Sequence, residues 1–375
     1  MKHVSLFAPS LRGGGAERVM VALAKELSSQ GLTVDLVLAK AEGPYLADVP
    51  ATVNIVDLNV RRIAYALPRL TKYINTAKPD CLLSTLRHAN IIAVTAKLLS
   101  KHRFILGIRE ANTLKVQLDN DDSFKEKLLP WFMRILYPLA DVVIAVSNDV
   151  KSDLVSCIAL ADQKVVVINN PVVDAELYSM SEAETNHPWL EQKSDPVILS
   201  VGRLTKQKDF DSLIRAFANY VHNRTAKLII LGEGEERHNL EALVKDLNLT
   251  GKVSMPGFVS NPFSFMKKAD LFVLSSLWEG QPNALIQALA LGTPTVSTDC
   301  PGGSREILRN GEYGSLVPVK SIPELCHAID TVLGTDGGAL VNNTQAQTED
   351  PAAYCKLEFG IRPVANQYIN ALNAI

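Results

Sequence analysis

The segment SSLWEGQPNALIQALALGTPTVSTDCPGGSREIL, residues 275–308, follows a short apolar run at 271–274 that reads as a buried strand. A loop carrying Trp278, Glu279 and Gly280 leads to Asn283, and apolar residues then recur at helical spacing through 284–291. Gly292 stops that helix and Pro294 opens the next strand. Strand, loop, helix and strand in so short a stretch form a βαβ unit, which commits this part of the chain to a parallel sheet. The loop also concentrates polar groups. The backbone of Gln281, Pro282 and Asn283 stands at a helix start, where amides and the helix dipole favour an anion. Glu279 can accept hydrogen bonds from sugar hydroxyls, and Gln287, about one turn into the helix, is expected to face the same pocket. An ordinary capped helix accounts for the fold here. It does not account for an acid, a glycine and a helix start falling together.

The alternation extends in both directions. Apolar runs at 4–7, 34–38, 53–56, 81–84, 104–107, 142–146 and 165–168 are separated by amphipathic stretches such as 17–30 and 91–101. A second series begins at 197–201 and continues at 228–231, 253–255, 295–297 and 314–317. Between the two series, Pro171 and Pro188 bound a polar cluster, with Pro196 just beyond. The pattern predicts an α/β protein with two Rossmann-like, doubly wound domains facing across a cleft. The expected boundaries are 1–172, a linker at 173–195, and 196–361, with a helix at about 362–375 completing the first domain. Residues 334–350 are polar and Gly-rich and read as a mobile loop.

Composition narrows the function. The 375 residues are 47% hydrophobic and 21% charged, with a net charge of -2, so nothing draws the chain generally toward nucleic acid. Residues 61–137 nevertheless hold fourteen Lys and Arg against six Asp and Glu, a local excess that suits a phosphate-rich or anionic-membrane partner. The five cysteines are widely spaced and include no CxxC pair, which argues for reduced thiols in a cytoplasmic protein rather than disulfides or zinc. No apolar run approaches the ~20 residues that cross a bilayer. No signal-peptide core precedes the first strand. The expectation is a soluble or peripheral protein.

Two further loops point to phosphate. Gly13, Gly14 and Gly15 follow the first strand and open a helix through Ala16 and Glu17, so Gly14 and Gly15 are placed to approach an anion. The spacing is not GxGxxG and no acid obviously ends the strand at 34–39, which argues against NAD. The second loop is VGRLTKQKDF, residues 201–210. Beyond Gly202, Arg203 and Lys208 can bracket a diphosphate, with Lys206 a weaker third cation.

At these residues the chain resembles the retaining GT-B-fold glycosyltransferases of family 4, which build bacterial lipopolysaccharide, capsule, exopolysaccharide and lipid-linked oligosaccharides. The likeness covers nearly the whole chain: Ala16-Glu17-Arg18, Asn169-Asn170-Pro171, Gly202-Arg203-Leu204, Leu231-Gly232-Glu233-Gly234, Pro256-Gly257-Phe258 and the Glu279 segment through Gly292-Thr293-Pro294. It implies a nucleotide-sugar donor, a UDP-linked hexose or N-acetylhexosamine with GDP-mannose as the alternative, held by Gly202, Arg203, Lys208, Gly232, Glu279, Gly280, Gln281, Pro282 and Asn283. The backbone of Phe258 would lie beside the base. Gly14 and Gly15 would approach the phosphates. In the family a second glutamate eight residues past Glu279 binds the ribose; here that position is Gln287, which leaves the strength of ribose recognition open.

The resemblance also gives the first domain an acceptor side. Arg87, His88 and Asn90 follow the strand at 81–84, and Arg109, Glu110 and Asn112 follow the one at 104–107. His88 or Glu110 can meet the acceptor hydroxyl or the leaving phosphate. Catalysis would rest on Arg203, Lys208 and Glu279 with these two groups. No DxD pair is evident, since Asp119, Asp121 and Asp122 read as a solvated loop. The reaction is therefore expected to need neither metal nor cofactor. The acceptor would be a glycan, in this family often linked to polyprenyl diphosphate. KLLPWFMRILYPLADVV, residues 127–143, combines apolar and basic residues and can either rest on the anionic inner face of the cytoplasmic membrane or form a buried helix. Two other readings use the same architecture: a sugar-nucleotide 2-epimerase, for which Gln287 supplies no carboxylate, and a catalytically silent sugar-nucleotide-binding subunit.

Overall fold

The computed structural model describes residues 1–115, 124–334 and 350–374, with 124–127 by backbone alone. The chain divides into two compact units, Met1–Val172 with Phe359–Ile375, and Val173–Glu358.

In the first unit seven strands form one sheet: β1 (His3–Ala8), β2 (Thr33–Leu38), β3 (Asn54–Asp57), β4 (Cys81–Thr85), β5 (Ile105–Glu110), β6 (Val142–Ala145) and β7 (Val165–Val167). Their spatial order is β3-β2-β1-β4-β5-β6-β7 and every pair is parallel. Val4 of β1 lies opposite Val34 on one side and Cys81 on the other. Parallel strands need both faces covered, so they read as near-continuous apolar runs. The helices Ala66–Ala77, Arg87–Leu99 and Asn148–Ile158 supply one cover. They press Leu70, Ala93 and Leu154 into the same core as Leu82, Leu106 and Val143.

The second unit repeats the plan with six strands: β8 (Val197–Val201), β9 (Lys227–Leu231), β10 (Val253–Gly257), β11 (Leu271–Leu274), β12 (Thr295–Thr298) and β13 (Ser315–Val317), in the order β10-β9-β8-β11-β12-β13. The order reverses between β1 and β4 in one sheet and between β8 and β11 in the other. At such a reversal the loops from adjacent strand ends diverge and leave a crevice, where doubly wound sheets bind ligands.

Three sequence expectations need correction. Residues 173–195 are not a bare linker. Asp174 accepts a hydrogen bond from the Leu177 amide at 2.8 Å and caps the helix Ala175–Ser181, and a second helix runs Pro188–Glu191. Leu177 and Leu190 are buried, so hydrophobic burial outweighs the polar composition here. Second, the strand expected to end at residue 107 continues through Glu110, with Arg109 opposite Ile144 and Glu110 opposite Ala145. Charged side chains usually end a buried strand, but these two are hydrogen-bonded inside the unit. Third, that pairing removes Arg109 from the acceptor side. Its guanidinium is fully buried and bonds Thr85 Oγ1 at 2.9 Å, Asn170 Oδ1 at 2.5 Å and Tyr368 Oη at 3.1 Å. Tyr368 belongs to the helix Ile361–Asn373, which packs on the first unit. The loop expected at 334–350, apart from its ends, and Asp119, Asp121 and Asp122 lie outside the described residues.

Replacing Arg109 by Met removes three hydrogen bonds at once and leaves their partners buried. The expected loss is about 3 kcal/mol of unfolding free energy, read from denaturant unfolding of the full chain.

Candidate functional site

In the second unit the loops beyond β8 and β11 are stitched together. Ser275 Oγ donates to the Lys208 carbonyl at 2.7 Å, the Leu277 amide to the Gln207 carbonyl at 2.8 Å, and Gln207 Nε2 to the Trp278 carbonyl at 2.8 Å. The loop beyond β12 joins them: the Glu279 amide donates to the Pro301 carbonyl at 2.8 Å, and Thr298 Oγ1 to the Ser276 carbonyl at 2.6 Å. Two glycines make this closeness possible. Gly232 has φ +140° and a Cβ there would lie 1.9 Å from the Gly202 carbonyl oxygen. Gly302 has φ +123° and its Cβ would lie 2.6 Å from the Glu279 carbonyl oxygen.

This framework holds a partly buried ion pair. Lys208 Nζ lies 2.5 Å from Glu279 Oε1, and the fully buried Ser276 hydroxyl donates to the same oxygen at 2.6 Å. Arg203, on the same loop as Lys208, is exposed, and among the described residues no acid pairs with it. One cation is thus fixed by a carboxylate and another stands ready for an anion. Gly280, Gln281 and Pro282 run into the helix Asn283–Ala290, whose cap is Pro282. Gln287, one turn into that helix, is buried at 6% exposure. Phe258, just past β10, is 53% exposed. Cys300 sits beside this site, but burial, and then the Glu279 charge, push its thiol up to about 12. A thiol so raised stays protonated at neutral pH and is neither nucleophile nor ready ligand.

In the first unit a pocket of about 360 Å³ opens at the β1/β4 reversal. Arg87, His88, Glu110 and Asn112 line it together with Leu86. Leu86 has φ 73°, a conformation that leucine adopts only where its surroundings impose it. Asn90 lies beneath the pocket, fully buried, and works through Glu110: its Nδ2 donates to Glu110 Oε1 at 2.8 Å and to the Arg109 carbonyl at 3.0 Å. Tyr137 also donates to Glu110 Oε1. Burial, with the Glu110 charge adding to it, raises the Tyr137 phenol well above its ordinary value, so its proton stays available for that bond. The other carboxylate oxygen is 3.9 Å from Arg87 Nε.

The glycine loop differs from expectation. Glu17 Oε2 accepts the amides of Gly13 and Gly14, each at 2.8 Å, so a carboxylate of this chain takes the Gly14 amide expected to meet a phosphate. A glutamate in the first helical turn competes directly with an external anion. Gly15 begins the helix Gly15–Ser29. Sequence reasoning missed Tyr137, Ser276 and Glu17, whose roles depend on contacts visible only in the fold. Only Glu17 carried a local signal, the acid three residues past a helix cap.

The family model described as Glycosyltransferase Family 4 matches residues 13–176, and that described as Glycosyl transferases group 1 matches residues 182–347. A Campylobacter jejuni protein, N-acetylgalactosamine-N,N'-diacetylbacillosaminyl-diphospho-undecaprenol 4-alpha-N-acetylgalactosaminyltransferase, is 30% identical, spanning 94% of this chain and 96% of its own. The chain belongs to glycosyltransferase family 4. The lipopolysaccharide core biosynthesis glycosyltransferase LpsE of Rhizobium meliloti is 26% identical over 86% of each chain. Among solved structures, the sucrose-phosphate synthase of Thermosynechococcus elongatus superposes with TM-score 0.82 at 18% identity, covering 100% of this chain and 99% of its own. Anabaena HepE in complex with UDP and glucose gives TM-score 0.80 at 18% identity over 100% of both chains. These likenesses identify the fold as GT-B, and the protein is a glycosyltransferase.

Two outcomes follow from the site's electrostatics. Lys208→Met leaves Glu279 buried without its cation and is expected to cost about 3 kcal/mol of stability in denaturant unfolding, much of it recovered when Glu279→Gln is added. Cys81, Cys300 and Cys355, each pushed up to about 12, are expected to resist iodoacetamide in mildly alkaline buffer. Mass spectrometry should find the half-buried Cys157 and Cys326 labelled first.

Proposed function

We propose that this glycosyltransferase moves a hexose or N-acetylhexosamine from a UDP-linked donor, with retention of configuration, to a glycan acceptor linked to polyprenyl diphosphate. The setting would be cell-surface polysaccharide or oligosaccharide synthesis at the inner face of the cytoplasmic membrane. The observation that carries the reading is the Lys208–Glu279 pair beside the exposed Arg203 at the β8/β11 reversal. A diphosphate needs two cations, and a sugar needs a carboxylate oriented toward its hydroxyls; this loop set supplies both. The side-chain amide of Gln287, on the helix that follows Glu279, suits a ribose hydroxyl. The undecaprenol-linked substrate in the Campylobacter relative's name supports the lipid-linked acceptor, and the UDP of the Anabaena complex supports the donor base.

On this reading Arg203 and Lys208 stabilise the charge that grows on the departing UDP. The acceptor hydroxyl attacks from the face that UDP leaves, and the diphosphate takes the proton. Glu279 holds the transferred sugar. The pocket of the first unit takes the acceptor, with Glu110 receiving hydrogen bonds from its hydroxyls and His88 and Asn112 at the rim. With two side-chain cations at the diphosphate, turnover is expected to continue in excess EDTA; loss of activity restored by magnesium would overturn metal independence.

The donor assignment is tested by thermal shift with UDP, GDP and ADP. UDP should stabilise the wild type, by about 2.7 kcal/mol at a hundredfold excess over Kd, and Arg203→Ala should lose most of the effect. Stabilisation by GDP alone would move the donor to another base.

A further inference from the structure

The pocket of the first unit joins aliphatic surface to polar groups. Ile63, Leu86 and Ala111 supply the first, and among the described residues no aromatic ring lines it. Apolar contact here therefore suits a small aliphatic group better than the stacked face of a sugar ring. Leu86 shows that this surface is built rather than incidental. Its backbone has φ 73° and ψ 132°, a conformation that glycine takes freely and that strains leucine. The fold nevertheless holds a leucine there, at the cavity wall. Strain of this kind persists where the surroundings impose it, and it gathers at ligand sites.

The polar groups narrow the ligand further. Glu110 Oε1 is held by Asn90 and Tyr137, which fixes the carboxylate plane. Its other oxygen lies 3.9 Å from Arg87 Nε, beyond hydrogen-bond distance. The two opposite charges offset each other, so an anionic sugar gains little from the pocket as a whole. The carboxylate can accept an N–H from a ligand, and Arg87 and Asn112 carry N–H groups for a ligand carbonyl. A neutral group that gives one hydrogen bond, takes one and ends in a methyl is an acetamide.

We propose that this pocket selects an N-acetylhexosamine as the terminal sugar of the acceptor. The acetamide N–H joins a hydroxyl of the same sugar at Glu110, the carbonyl accepts from Arg87 or Asn112, and the methyl lies against Leu86, Ile63 and Ala111. A plain hexose brings a hydroxyl where the methyl would sit, and a hydroxyl facing aliphatic side chains loses its water without gaining a partner. The cavity, about 360 Å³, is near the lower end of the range for ligand pockets, so it suits one sugar residue rather than a length of chain. The inference rests on the reading of this pocket as the acceptor site. It depends neither on the donor nor on a lipid linkage.

The test is saturation-transfer NMR of the full chain, without donor, against methyl glycosides of N-acetylglucosamine, N-acetylgalactosamine, glucose, galactose and glucuronic acid. At least one acetylated sugar should bind about tenfold tighter than its plain counterpart, with its acetyl methyl protons the most strongly saturated. Leu86→Gly removes the aliphatic wall and relieves the strained backbone, so its thermal midpoint should fall little while the preference shrinks severalfold. Ile63→Ser should shrink the preference as well, and Glu110→Gln should weaken binding of the acetylated sugar. Equal binding of plain and acetylated sugars, or tighter binding of the glucuronide, would overturn the selectivity and leave the acceptor site standing. Binding untouched by all three substitutions lies elsewhere on the chain and would overturn the assignment to this pocket. Absence of binding by every glycoside would overturn the selectivity and the acceptor reading together, while the UDP thermal shift reports on the donor independently.

Discussion

Both sheets are wholly parallel, and that single constraint governs where chemistry can occur. A parallel sheet buries both faces and its strands become runs such as VILSV and LFVL, with little room for polar groups along their length. Polar function is then confined to strand ends, and among these to the reversal of strand order, where neighbouring loops part. The decisive loops lie there in each unit: Gly202–Lys208 with Ser275–Glu279 in one, and the turn at Leu86 with Glu110 in the other.

At both places the chain treats a buried carboxylate alike. Glu279 receives Ser276 and Lys208 on one oxygen, and Glu110 receives Asn90 and Tyr137 on one oxygen. Two donors on one oxygen fix the orientation of the carboxylate and satisfy part of its charge, which is what makes a buried acid tolerable. The second oxygen of Glu110 lies 3.9 Å from Arg87 Nε. Each acid accepts a hydrogen bond from a buried hydroxyl, Ser276 for Glu279 and Tyr137 for Glu110.

Much of this was legible in the sequence. The alternation of apolar runs and helical stretches gave the two parallel sheets, because strand period and helix period are local properties. The loop holding Glu279 was readable for the same reason, since its acid, glycine and helix start lie within a few residues. Arg109 and Glu110 show where local reading stops. They are adjacent and both charged, yet one is a structural donor deep in the unit and the other faces the pocket. What separates them is side-chain alternation along an extended strand, together with Thr85, Asn170 and Tyr368, which are far away in sequence. Helix Phe124–Leu136 is a similar case. Its composition suggested either a core helix or a surface one, and the structure gives it both faces at once.

The route of the chain carries a consequence of its own. The first unit is left at Val172 and re-entered at Phe359, and the Val172 amide donates to the Phe359 carbonyl at 3.0 Å, so the exit and the return lie side by side. The second unit is topologically an insertion into the first. During synthesis the first sheet is complete long before its last helix exists, because Val173–Glu358 must be made in between. Until Tyr368 arrives, the Arg109 guanidinium lacks one of its three partners, and the core facing that helix is open to water. The first unit to begin folding is therefore the last to finish, and its closing step waits on translation of the other.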